Sequence, residues 1–228
     1  MHKQESNNIP FSFELVTYPH SIVNDLHDYR QFYTEVEKLF EKNDEKLQAH
    51  ITEKLKEIPE NNHDRFIESY TYDLHKNQFM FPSMHRGSMF ITLYNFLEHH
   101  LNLLCSQIGD ELKSNICIRD LKGSGIERAL LFLKKIPEFK FDRINKELSF
   151  IKNTNRLRNC VVHNGSVLPE NESDKINKFV KAQESLSGNP GDIVIFRSEF
   201  ISAYIEILQA FFKEIENEIQ RFLDKYRT

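Results

Sequence analysis

The chain has 228 residues, a formal net charge of −4 at pH 7, and only 7 glycines and 7 prolines. So few turn residues exclude a sandwich or barrel built on many tight turns, and 39% hydrophobic with 28% charged residues suits amphipathic helices. The acidic balance argues against a general nucleic-acid coat protein.

Pro10 and Pro19 bracket a stretch in which Phe11, Phe13 and Leu15 alternate with Ser12, Glu14 and Val16, which predicts a short strand or extended arm over residues 11–16. Apolar residues then recur at three- and four-residue steps from Ile22 to Ile58, predicting a helix over 21–58 that Pro59 ends. A second helix is expected over 62–79, stopping before Pro82, and a third, the most apolar, over 85–108. A fourth follows Lys122-Gly123-Ser124-Gly125 and runs to Ile136. That stretch superficially resembles a phosphate loop but lacks its residue order, and reads as a helix N-terminal turn. The fifth helix, 141–163, ends at Asn164-Gly165, a suitable C-cap. A shorter helix over 174–186, a short strand over 192–196 and a long last helix over 198–226 complete the pattern. No composition break divides the chain. Residues 1–228 therefore read as one all-α domain, a bundle of six to seven helices with at most one short strand pair or extended N-terminal arm.

Cys105, Cys117 and Cys160 form no CxxC pair and read as reduced thiols. No apolar run approaches the roughly 18 residues of a membrane span, and the N-terminus lacks an apolar signal-peptide core. A cytoplasmic protein without a membrane partner is expected. His99 and His100 are adjacent and point about 100° apart on a helix, so they do not share a metal ion. No other spacing suggests a metal or cofactor site. The aromatic stripe with Phe200, Tyr204, Phe211 and Phe212 reads as core or dimer surface.

One stretch departs from a generic bundle: Asn155-Arg156-Leu157-Arg158-Asn159-Cys160-Val161-Val162-His163. Asn159 and His163 are four apart and share a helix face, Arg156 lies seven before His163 on the same face, and the long Arg158 side chain can swing over from one position off it. A guanidinium, a carboxamide and an imidazole therefore meet at one helix end. Phosphodiester transfer needs a proton carrier near neutral pH and fixed positive charge for the phosphorane, which His163 and Arg158 supply, with Asn159 as a polar helper. The same residues also suit ordinary helix capping and a structural ion pair. Glu98 sits in the lane of Ile91, Tyr94, Leu101 and Cys105, and a carboxylate there needs a partner. Arg158 or Arg156 is one candidate and another basic residue is the alternative.

Arg158, then the four residues Asn159 to Val162, then His163, closing a helix in an all-α chain, resembles the signature of the HEPN superfamily. Residues 88–98 resemble that family's earlier long helix with its acidic residue, and the likeness extends over about 85–165. The resemblance implies a HEPN-like core over about 85–225 with residues 1–82 as an N-terminal helical extension. It implies a homodimer that joins two Arg/His motifs in one cleft, and a metal-independent endoribonuclease acting on RNA, of the toxin or antiviral kind, with an antitoxin or regulatory partner. By carry-over Arg158, His163 and Asn159 would be catalytic, with Arg156 and Glu98 supporting. The alternative is a catalytically inactive member that binds a nucleotide or a partner protein.

Charge is distributed unevenly. Residues 119–158 hold 11 Lys/Arg and 5 Asp/Glu, a balance of +6, whereas residues 1–82 hold 9 and 15, a balance of −6. The basic block leads directly into the motif.

Overall fold

The structure, a computed structural model, describes residues 12–227. Ser12 caps the first helix, its hydroxyl accepting from the Leu15 amide at 3.2 Å. The helix α1 then runs over Phe13–Leu55 without a break at Pro19. This corrects the expected strand or extended arm over 11–16 (Phe11 lies outside the described residues). A proline inside a helix removes one hydrogen bond, here to the Leu15 carbonyl. Leu15, Ile22 and Leu26 are all fully buried from this stretch, and their packing outweighs that loss.

After Pro59 come the short helices α2 (His63–Ser69) and α3 (Thr71–His75), neither with a buried residue. The chain does not stop before Pro82. A wide turn at Lys76–Met80, in which the Phe81 amide donates to the Lys76 carbonyl, passes directly into α4 (Phe81–Glu111). Pro82 stands in the first turn of α4, where a missing N–H costs least. The remaining elements are α5 (Gly125–Lys135), α6 (Asn145–His163), α7 (Lys175–Lys181), the strands β1 (Leu186–Ser187) and β2 (Ile195–Phe196), and α8 (Ser198–Arg227). The strands pair antiparallel, Leu186 opposite Phe196 and Ser187 opposite Ile195. The molecule is thus all-α with one short strand pair, as the sequence predicts.

Helix α4 is central and packs against α1, α5, α6 and α8. Helices α1 and α8 lie antiparallel: Tyr33 donates to the Ser198 carbonyl at 3.0 Å, and Arg30 reaches Glu206 at 3.0 Å and Gln209 at 3.1 Å. The core is strongly aromatic. Phe90 of α4 meets Phe196, Phe200 and Tyr204, and Phe150 of α6 closes on Phe200 and Tyr204. Phe200, Tyr204, Phe211 and Phe212 are fully buried, so the α8 stripe is core.

Candidate active site

Helix α6 buries Leu148, Ile151, Thr154, Leu157 and Cys160, a stripe at three-residue steps. Anchoring that stripe leaves Arg156, Asn159 and His163 together on a neighbouring, more accessible lane. The helix then ends sharply. Gly165 takes a φ of 59°, in the left-handed region that favours glycine, and the amides of Asn164 and Ser166 both donate to the Cys160 carbonyl. This stop holds His163 at the helix end, with its side chain exposed.

Arg158 does swing over. Its Nη1 donates to Asn159 Oδ1 at 3.2 Å and lies 3.3 Å from His163 Nε2. Guanidinium nitrogens are donors only, so Nε2 of His163 accepts in this arrangement. The three motif side chains are thus one hydrogen-bonded group. Arg158 is further placed by Tyr94 of α4: its guanidinium carbon lies 5.6 Å from the ring centroid, within cation–π range. The Tyr94 hydroxyl in turn donates to Asn155 Oδ1 at 2.9 Å. Burial, with Glu98 nearby, raises the Tyr94 phenol to about 12, so it stays a donor at neutral pH. Arg158 Nε is buried and has no hydrogen-bond partner among the described residues.

Arg156, Asn159 and His163 form one wall of a cleft of about 710 Å³. Arg156 also donates to Asn153 Oδ1 at 2.8 Å. The opposite wall is the segment between α6 and α7, with Pro169, Asn171, Ser173, Asp174 and Lys175. That segment is firmly held. Asn177, buried, donates to the carbonyls of Pro169 and Asn171 at 2.7 and 2.8 Å, and Asp174 caps α7 by accepting from the Ile176 amide at 2.8 Å.

Glu98 is not bonded to either arginine of the motif. Among the described residues its carboxylate forms no salt bridge, and it faces Gly125 at the start of α5. Gly125 has a φ of 51°, in the left-handed region that favours glycine, and a Cβ there would lie 2.9 Å from Glu98 Oε1, so the Glu98 side chain would have to shift. Glu98 joins Asn102, Ser106, Arg119 and Arg128 around a second cleft. Its relation to Arg158 runs through Tyr94, one turn earlier on α4, whose ring neighbours both charges.

Tyr94 and the α6–α7 segment are contributions that sequence reading missed. Tyr94 was visible as the residue four before Glu98, but in a lane that reads as core. No local signal ties residues 169–175 to the motif. Among the described residues no three His, Cys, Asp or Glu side chains gather to hold a metal ion, and no helix is long and apolar enough to cross a membrane. Comparison of the chain with family models, with curated proteins and with solved structures found no match.

Proposed function

We propose that the protein is a metal-independent endoribonuclease of the HEPN type, working as a homodimer that brings two Arg158/His163 motifs to one RNA strand. The observation that carries this reading is the hydrogen-bonded group of Arg158, Asn159 and His163, of which Asn159 and His163 line a cleft of about 710 Å³. A proton-accepting imidazole beside a guanidinium fixed by its neighbours is what phosphodiester cleavage requires. The exposed Lys134, Lys135, Lys140, Arg143, Lys146 and Lys152 give α5, α6 and the segment between them a basic surface for the RNA backbone.

In the reaction, the RNA 2′-hydroxyl attacks the adjacent phosphorus. An imidazole takes the hydroxyl proton, the P–O5′ bond breaks, and a proton is returned to the departing 5′-oxygen. The products are a 2′,3′-cyclic phosphate and a 5′-hydroxyl. Arg158 neutralises the phosphorane, Asn159 and Tyr94 hold Arg158, and Arg156 binds a flanking phosphate. DNA lacks the attacking hydroxyl and should resist. A cytoplasmic toxin or antiviral effector restrained by an antitoxin or regulatory partner is the role that fits such an activity.

The test is incubation of RNA with the protein in EDTA, with mapping of the new ends. Cyclic-phosphate ends are expected, and Arg158→Ala and His163→Ala should each lower the rate by about 10²- to 10⁴-fold. Unchanged cleavage in both variants, or a strict metal requirement, overturns the reading.

A further inference from the structure

A separate, shallow cavity of about 500 Å³, open to the surface, lies between the first half of α1 and the middle of α4. Each of its six lining residues is either a carboxylate or an aromatic ring: Asp25, Asp28, Tyr29, Phe32, Phe96 and His100. Asp25 and Asp28 are three apart on α1, so two like charges share one face of one turn, which is unfavourable without a counter-charge. Neither forms an ion pair among the described residues. Arg30, on the same turn, is drawn away to Glu206 and Gln209 of α8, and the His27 ring meets Gln209 as well.

The rings are set against one another. Tyr29 meets Phe96 edge-on at 5.2 Å, and Phe96 meets His100 at 4.1 Å. His100 is held by Tyr18, whose hydroxyl lies 2.6 Å from Nδ1. The Tyr18 phenol is pushed up to about 12, chiefly by burial, and therefore donates. Burial and the neighbouring His99 lower the His100 imidazole, against the opposing pull of Asp25. His100 thus adds a neutral ring rather than a competing cation. Phe32, 56% exposed, forms an open rim.

Aromatic faces attract cations through their quadrupole, and carboxylates supply the full counter-charge. A hard metal ion does not suit this cavity: two carboxylates from one helical turn fall short of the six or more oxygen ligands such ions take, and rings offer none. We propose that the cavity binds an alkylammonium ion, with its charge between Asp25 and Asp28 and its methyl or methylene groups against Tyr29, Phe32, Phe96 and His100. This site is independent of the cleft at His163 and of the activity proposed for it.

The experiment is isothermal titration of the full chain with spermidine and, separately, with tetramethylammonium chloride, against sodium chloride at matched ionic strength. Saturable binding at one site is expected for at least one of the two probes, spermidine reporting a polyamine and tetramethylammonium a quaternary headgroup. Asp25→Asn with Asp28→Asn should weaken it about tenfold or more, and Phe32→Ala should weaken it severalfold. All three positions are exposed, and thermal melts check that the variants fold. No saturable heat with either probe, unchanged affinity in either variant, or equal competition by guanidinium at low concentration overturns the proposal.

Discussion

The body of the bundle and the arm formed by residues 41–80 are held together in opposite ways. In the body, Phe90, Phe132, Phe200, Tyr204, Phe211 and Phe212 are fully buried and come from helices far apart in the chain. In the arm, Ile51 is the one buried hydrophobic residue among those described, and Ile67, Tyr72 and Phe79 are 41%, 65% and 62% exposed. Its cohesion is largely polar and near-surface: Gln78 donates to Asp44 at 3.0 Å, the Tyr70 hydroxyl lies 3.3 Å from His50 Nε2, and a His63 ring nitrogen contacts the Ile58 carbonyl at 2.9 Å. Helix α1 belongs to both regions, since its 43 residues span about 65 Å at 1.5 Å each. Dense burial is therefore concentrated in the body, whose helix α6 carries the Arg158/His163 motif, and the arm largely lacks it.

The difference can be broken first at its strongest point. Phe90→Ala should cost about 3–5 kcal/mol in denaturant unfolding, because the ring meets three other aromatics and leaves a cavity. Next is the clamp where the arm leaves the body. Arg86 of α4 binds Glu37 of α1 through two nitrogens, at 2.9 and 2.6 Å, and the pair is largely buried. Glu37→Ala should cost about 2–3 kcal/mol, since it leaves a half-buried guanidinium unpaired, and limited proteolysis should then cut first within the arm.

A smaller effect is tied to pH. His85 stacks on Tyr33 at 5.5 Å beside Phe32 and Phe40, and its Nε2 is buried without a hydrogen-bond partner among the described residues. Burial lowers its imidazole below the ordinary value, Arg86 adds to this, and Glu37 opposes it. A lowered folded-state value means that the unfolded chain takes up the proton first as pH falls. Stability contributed by the neutral ring is then present above about pH 6.5 and lost below it. His100 shifts in the same direction. Melting temperature should fall between about pH 7.5 and 5.5, and His85→Phe should flatten that slope. The smallest effect belongs to the arm: Ile67→Ser should change stability by no more than about 0.5 kcal/mol and leave the proposed RNA cleavage unaltered.

Much of the helical pattern was legible because amphipathic periodicity and sparse Gly and Pro residues act locally. The ends of α5 and α6 fell close to where Pro137 and Asn164-Gly165 implied. Prolines misled where packing or position offset their local cost, at Pro19 inside α1 and at Pro82 in the first turn of α4. The motif was legible for a similar reason. The spacing of Arg156, Asn159 and His163 is enough to put them on one side of α6.

What the chain determines by itself is thus the class of fold, the helix that carries the site and the lane its side chains share, since each follows from a period of 3.6 residues. The surroundings of that lane were decided only in three dimensions. Tyr94 under Arg158 and Glu98 turned toward Gly125 join residues far apart in the chain through the packing of α4, α5 and α6, and the loop held by Asn177 folds back to face the motif across the cleft. The grouping of Asp25 and Asp28 with Phe96 and His100 has the same origin, distant stretches of α1 and α4 brought side by side. Burial, not spacing, selects those neighbours, because each helix has one face to hide and the packing of the whole bundle determines what meets it.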